Sequence, residues 1–536
     1  MDGTNADYRY GRARFAEGWE MKRAGLFKRK GPQIGFYRKS PLFLDGDAPM
    51  ITIGGAGSGK LRDLLGYVVC NLPGQNMMAL DPRGELCAIS HHVHAPNGDY
   101  CYSWNPFHLH GLPNHGCNLL DILDINNPNF HALCKFVMEA LIALSGSSNG
   151  QYFELRARDY GEKIMKSLVE TRGDVTLPMM MGVVQSVEGD IEIWASQLEA
   201  MMHSKFEDVR RVAAEMITKQ QDSPKEFGSI MGEIYSSLSF LEDPALCASL
   251  ERSDFSLKEI CSQTHGTKIF LNIPAEYLKL WAPIVRLFFT VSMLYKAAAP
   301  AADRVMLLVD EAGQLGRFEA LLRAFTFGRG AGIRAWAIFQ DIGQITRNFE
   351  AAAVQGFLGS AQMRQFFGVR DFETAQLISN MLGTESLEYE QSQKKLAIDL
   401  QKKQIVRGFL EGGDALPEAI KLLHVQREAS IKNVQSRQLL TPAEILNLPE
   451  DKQLIFISGK NLYPILADKY PYFLRSEMAG LFLPNPYHPP LDKVRLKTWF
   501  GSKWARVVRE PVPRKYASFP QYVDGTWSYI DGYKPS

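Results

Sequence analysis

The 536 residues include 46% hydrophobic and 22% charged positions and carry a formal net charge of +1. This leaves ample apolar content for two or more domains and excludes both a basic nucleic-acid coat and an acidic tail protein, so any grip on nucleic acid must come from a local patch or a ring of subunits. The seven cysteines are scattered without a C-x-x-C pair, which argues against a zinc site or disulfide frame and for reduced thiols in a cytosolic compartment.

The first ten residues are polar, so no signal peptide is expected. Residues 1–40 form a basic segment with Lys22, Arg23, Lys28, Arg29 and Lys30 close together, read as a solvated helix end and loop in preference to a phosphate-binding patch. Downstream, short β-rich apolar runs alternate with helical stretches: Met50–Ile53, Met77–Leu80, Lys268–Ile273, Val305–Val309, Ala335–Phe339, Met363–Val369 and Leu454–Ser458. Near-continuous apolar strands separated by helices predict an α/β domain with a mostly parallel sheet covered on both faces, over 41–150 and 246–480.

The first run leads into Gly54, Gly55, Ala56, Gly57, Ser58, Gly59 and Lys60, followed by Leu61, Leu64, Leu65, Val68 and Val69 at helical spacing. A strand, a glycine loop and a helix opening on a lysine is the geometry of a P-loop. Glycines let backbone N–H groups turn toward a phosphate, and the lysine reaches its terminal oxygens. Leu61 stands where the pattern has Ser or Thr, whose hydroxyl binds Mg²⁺. The second run leads to Asp81, Pro82, Arg83, Gly84 and Glu85, either a plain turn or a contact for nucleotide or a neighbouring subunit.

Between 151 and 245 the β-like runs stop and an all-α insertion is predicted, with helices over Asp190–His203 and Phe206–Lys219 and a third opened by a Ser223–Glu226 capping box. Its methionines, Met179 to Met181, Met201, Met202 and Met216, read as core filling. The apolar stretch Leu287–Leu294 is broken by Lys296 and is too short to span a membrane.

Val305–Val309 ends in Asp310 and Glu311. In P-loop enzymes the first such carboxylate holds Mg²⁺ and the second polarises the attacking water, so Asp310 is the metal candidate and Lys60 and Glu311 are catalytic candidates. If so, Lys60 and the two acids must meet in one pocket. Gln340, at the end of the next strand, is a further catalytic candidate, to sense a γ-phosphate or to orient the water. Arg329, among Gly328, Gly330 and Gly332, is either an arginine finger for a neighbouring subunit or a solvated turn residue. Residues 385–436 are charged and glutamine-rich, an exposed helical excursion or mobile segment, and Thr441–Glu444 is a second capping box. The proline- and aromatic-rich 481–536 reads as an extended tail with little core of its own.

In order, these motifs resemble the type IV secretion coupling proteins, the TraG/TraD family of conjugative DNA-transfer ATPases. The likeness is carried by Gly54–Lys60, Asp81–Leu86, Asn105-Pro106-Phe107, Ser253-Asp254-Phe255, Asn272-Ile273-Pro274, Leu307–Glu311, Gly328–Ile333 with Gln340, and Leu439–Pro442 with Leu448–Asp451. The resemblance implies a RecA-like motor domain with an inserted all-α substrate-recognition domain, assembling as a hexamer. It implies ATP and Mg²⁺ as cofactors, with single-stranded DNA and relaxase, or effector proteins, as cargo for a secretion channel. Most members carry N-terminal transmembrane helices; here the expectation is a bacterial cytoplasmic chain brought to the inner membrane through type IV secretion components. A weakly or non-hydrolysing recruitment platform is the alternative.

Overall fold

The computed structural model describes residues 12–145, 150–389, 433–498 and 500–535, with Leu400, Lys403, Ile405 and Arg407. Two compact units divide the chain: Gly18–Gly368 with Pro449–Leu462 and Leu466–Ser536, and Met1–Glu17 with Val369–Leu448 and Tyr463–Ile465.

The first nine strands are β1 (Gln33–Tyr37), β2 (Ser40–Phe43), β3 (Met50–Gly54), β4 (Asn76–Pro82), β5 (Tyr100–Trp104), β6 (Thr267–Ile273), β7 (Val305–Val309), β8 (Ile333–Phe339) and β9 (Met363–Phe367). After them come β10 (Thr384–Tyr389), β11 (Asn433–Gln438), β12 (Lys452–Ile457), β13 (Ile465–Asp468), β14 (Lys493–Thr498), β15 (Gly501–Pro511) and β16 (Thr526–Ile530).

An 11-stranded sheet runs β2-β1-β13-β12-β9-β3-β8-β7-β4-β6-β5. From β9 to β5 its pairs are parallel. The β9–β12, β1–β13 and β1–β2 pairs are antiparallel. Strands β3, β6, β7 and β8 are buried along their whole length, as a sheet covered on both faces requires. β1 and β2 place part of the expected basic N-terminal segment within this sheet, because Ile34, Phe36 and Leu42 are fully buried there.

A chain of buried polar side chains crosses the junction between the parallel and antiparallel parts. Trp336 Nε1 donates to Thr52 Oγ1 at 2.9 Å, and Thr52 Oγ1 donates to Gln365 Oε1 at 2.8 Å. Gln365 Nε2 then donates to Gln453 Oε1 at 2.7 Å and to the Ile34 carbonyl at 2.9 Å. Each of β8, β3, β9, β12 and β1 contributes one member, so the buried amides of Gln365 and Gln453 are both partnered.

Helix Ala282–Ala298 packs on helix Phe130–Leu141. The buried guanidinium of Arg286 donates to the carbonyls of Ala140, Leu141 and Leu315 at 2.8, 3.1 and 2.9 Å. It thereby satisfies acceptors that the end of the shorter helix leaves open. Burial pulls its pKa down to about 10.

The predicted insertion region holds helices Gln151–Arg172, Leu177–Gly189, Ile191–Met202, Glu207–Asp222 and Pro224–Leu238, and helix Pro244–Glu251 runs past its expected end at 245. Met180, Met181, Met201 and Met216 are buried among them, but Met179 and Met202 are 40% and 38% exposed. Pro224 opens its helix, yet Ser223 makes no side-chain cap. The predicted capping box fails because Glu226 is taken by Lys219 and by the Tyr152 hydroxyl. Lys166, nearly inaccessible, is held by Glu162 at 2.5 Å and Asp208 at 2.8 Å, so its buried ammonium has acidic partners.

In the C-terminal stretch β14, β15 and β16 form an antiparallel sheet with its own cluster of Ala95, Tyr516, Tyr522, Trp527 and Tyr529. An extended tail with little core of its own is expected over 481–536; large aromatic side chains instead supply a core where few aliphatic ones are available. Trp499 lies outside the described residues.

In the smaller unit, helix Phe372–Leu382 is capped by Asp371 Oδ1, which accepts the Thr374 N–H at 2.7 Å. The Thr441–Glu444 box is present in full and opens helix Pro442–Leu446. β10 and β11 pair antiparallel from Thr384↔Gln438 to Tyr389↔Asn433. They occupy the two ends of the predicted excursion; the rest of it, apart from Leu400, Lys403, Ile405 and Arg407, lies outside the described residues.

Candidate functional site: a phosphate loop facing two acids

Gly57 and Gly59 adopt φ of +69° and +84°, the left-handed region where a side chain is strained. At Gly59 a Cβ would also come within 2.4 Å of Asp63 Oδ2, so the loop closes tightly on the following helix. That helix begins with a wide π-type turn, Leu61–Leu65, and continues to Cys70. The Gly55 N–H bonds the Phe367 carbonyl at 3.4 Å, and Gly368 lies where a Cβ would meet Ser58 at 2.4 Å. The neighbouring strand β9 therefore backs the loop. Ser58 Oγ is buried with no hydrogen-bond partner among the described residues.

β7 brings Asp310 and Glu311 to the same edge of the sheet. Lys60 Nζ donates to Glu311 Oε1 at 2.8 Å. Gln340 Nε2, from the end of β8, donates to Glu311 Oε2 at 2.8 Å. Gln340 is itself fixed: its N–H bonds Gln344 Oε1 at 2.9 Å, and Asp341 Oδ1 caps helix Ile342–Phe349 through the Gln344 N–H at 2.8 Å. Glu311 sits at φ +54° and donates its N–H to Asp310 Oδ1 at 3.0 Å. Burial pushes the Asp310 carboxyl up to about 6 against the pull of Lys60. Asp81, at the end of β4, is pushed up to about 7 by burial, although its carboxylate accepts the Cys87 N–H at 2.9 Å.

Residues 14–486 match the family described as Type IV secretory system Conjugative DNA transfer. The chain belongs to that family. Protein VirD4 of Rhizobium radiobacter is 25% identical over 389 residues, covering 70% of this chain and 55% of the relative. Conjugal transfer protein TraG of Escherichia coli is 22% identical over 339 residues, covering 58% and 49%. This chain spans about half the length of the curated relatives it matches. Among solved structures, the plasmid coupling protein TrwB in complex with the ATP analogue ADPNP superposes with a TM-score of 0.60 at 16% identity, over 88% of this chain and 96% of that one. TrwB in complex with ADP and Mg²⁺ gives the same values. The likeness fixes the fold, a RecA-like sheet with a helical part. Among the described residues no helix is long and apolar enough to cross a membrane.

For a member of the conjugative DNA-transfer family, the predicted residues separate into two groups. Gly54 to Leu61, Asp310, Glu311 and Gln340 gather at the carboxyl edge of the parallel strands. Arg329 does not: it precedes β8, whereas Gln340 follows it, and seven residues of strand span roughly 23 Å. Arg329 Nε instead pairs with Asp47 Oδ1 at 3.0 Å. Arg83 stacks on Tyr487 at 4.4 Å, while Glu85 is buried and accepts Asn485 Nδ2 at 2.6 Å.

Lys469 escaped the sequence reading. Its Nζ donates to the Ser58 carbonyl at 2.7 Å, lies 3.5 Å from Asp63 Oδ2 and sits 4.5 Å over the Phe367 ring. It pins the underside of the loop, and burial lowers its pKa. A single lysine whose main partner is a distant backbone carbonyl leaves no pattern to find. Among the described residues no group of three or more His, Cys, Asp or Glu is gathered to hold a metal alone.

Proposed function

We propose that this chain is an ATP-driven coupling protein. In this reading it recruits single-stranded DNA with its relaxase, or effector proteins, and pumps them into a type IV secretion channel. It works as a hexameric ring held at the cytoplasmic face of the bacterial inner membrane by secretion-system partners. The observation that carries the reading is the convergence of Lys60, Glu311 and Gln340 from three different strands within hydrogen-bonding distance.

The residues present fit a nucleotide. Ser58 supplies a buried hydroxyl without a partner, Gly57 and Gly59 open the loop, and Lys60 offers a cation at its end. Bound ATP with Mg²⁺ would supply a phosphoanhydride whose hydrolysis drives the pump. Asp310 would take the cation, which keeps several waters and so needs few protein ligands. Glu311 orients the attacking water and accepts its proton, and Gln340 holds Glu311 in register through its second oxygen. Arg329 is left to serve the nucleotide of a neighbouring copy.

Phosphate release with and without single-stranded DNA tests this, beside Lys60→Ala and Glu311→Gln. Release from the wild type no greater than from the variants, over a range of protein concentrations, rules the motor out. Arg329→Ala is expected to leave nucleotide affinity intact and remove the concentration-dependent part of turnover. The recruitment platform draws support from Leu61, which lacks the usual hydroxyl; robust turnover that Leu61→Ser does not improve counts against it.

A further inference from the structure

Beside the phosphate loop lies a cavity of about 480 Å³ whose floor is Leu61 and Arg62, the two residues after Lys60. Its walls include Phe473, Phe482, Arg495 and Trp504. The volume falls within the roughly 300–1,000 Å³ of small-molecule sites. Phe482 is only 3% exposed, whereas Phe473 and Trp504 are 37% and 56% exposed, so a fixed ring stands behind two accessible ones. Phe482 meets Tyr472 edge-on at 5.0 Å, and a Cβ on Gly66 would come within 2.5 Å of the Tyr472 ring. The wall is thus packed directly on the helix that follows the loop.

Three observations set the class of ligand. Lys60 Nζ points at Glu311, which fixes the terminal-phosphate end of the loop. A polyphosphate gripped there runs back along the first helical turn and leaves past residues 61 and 62, toward the cavity. Second, Arg62, Lys493 and Arg495 line the cavity beside the rings, with Lys493 Nζ 5.3 Å over the Trp504 ring, a mixture suited to a flat π-system carried on an anionic chain. Third, Leu61, out of place as a magnesium ligand, is in place as the apolar floor of such a pocket.

We infer that this cavity is the subsite for the nucleoside part of the bound nucleotide, with Phe473 and Trp504 as the rings that stack on the base. The inference rests on the nucleotide reading given above. The stretch matched to the family ends at residue 486, so Arg495 and Trp504 belong to a part of the chain beyond it. The C-terminal sheet therefore completes the nucleotide site.

Calorimetric titration of the full chain with Mg²⁺–ATP and with Mg²⁺–tripolyphosphate separates the two parts of the site. In Phe473→Ala and in Trp504→Ala, ATP affinity is expected to fall about ten-fold, as loss of base stacking does, with tripolyphosphate affinity unchanged. Photolabelling with 8-azido-ATP is expected to mark peptides within residues 472–504. Unchanged ATP affinity in both variants, an equal loss for both ligands, or labelling confined elsewhere overturns the inference. If the wild type binds neither ligand, or Lys60→Ala leaves tripolyphosphate binding intact, the nucleotide reading itself fails and this one falls with it.

Discussion

The two edges of the central parallel sheet carry different chemistry although the chain visits both within a few residues. At the carboxyl edge the ends of β3, β7 and β8 bring Lys60, Glu311 and Gln340 together. At the amino edge Arg329 and Arg304 share Asp47, at 3.0 and 3.2 Å, with both guanidinium groups largely in solvent. Parallel strands have all their carboxyl ends at one edge, so residues far apart in sequence converge there. Position in the sheet, more than position in the motif, decides which charges act within one chain.

The largest effect is expected at the lysine. Lys60→Ala should lower phosphate release by at least ~10²-fold, the scale of losing a donor aimed at developing charge. Gln340→Ala comes next: Glu311 loses one of two fixed hydrogen bonds, and turnover should drop by about ten-fold with nucleotide affinity little changed. A Gln340→Ala enzyme with normal turnover would show that Glu311 is held by Lys60 alone.

A pH series follows. With its folded pKa raised to about 6, Asp310 is ionised and able to take a cation above that value. Mg²⁺-supported nucleotide binding should therefore weaken below pH 6, by up to about ten-fold per pH unit. Stability linked to this group runs the other way. The native state takes up a proton that the unfolded chain does not, so acidification from pH 7 toward 5 should raise its contribution. Asp310→Asn should abolish the binding trend in calorimetric titrations and reduce the stability trend in thermal melts, with Asp81, pushed up to about 7, supplying the remainder.

The smallest effect belongs to the amino edge. Arg329→Ala breaks a pair whose arginine side chain is 67% exposed, so melting of the dilute protein should shift by no more than the equivalent of ~0.5 kcal/mol. A large loss of stability would assign Arg329 a structural role and undo the contrast between the edges.

The parallel strands of the central sheet were readable because burial on both faces demands unbroken apolar runs, as in Val305–Val309. Strands β1, β2, β5 and β13 were not, since Gly35, Pro41, Ser103 and Asp468 interrupt that pattern and only pairing with neighbours makes them strands. The hairpin of β14 and β15 alternates cations with Val494, Leu496 and Ala505, a signal hidden beneath a proline-rich composition. In the site, glycines, the lysine and the paired acids announced themselves through chemistry that few other residues perform. The edge that received Arg329 follows from its place before a parallel strand, whereas that Lys469 would reach the loop depended on strand order, which no local pattern encodes.

The run of side chains from Trp336 to Gln453 has a consequence for how the sheet is assembled. Each side-chain step in it runs from one position of a strand to one position of the adjoining strand, and the last amide also reaches the Ile34 carbonyl of β1. Were an outer strand to dock one residue out of step, it would turn its amide away and leave a neighbour's dipole stranded in oil-like surroundings. The polar thread thus works as a proofreading key for strand alignment, admitting a single arrangement of the sheet on which Lys60, Glu311 and Gln340 are mounted.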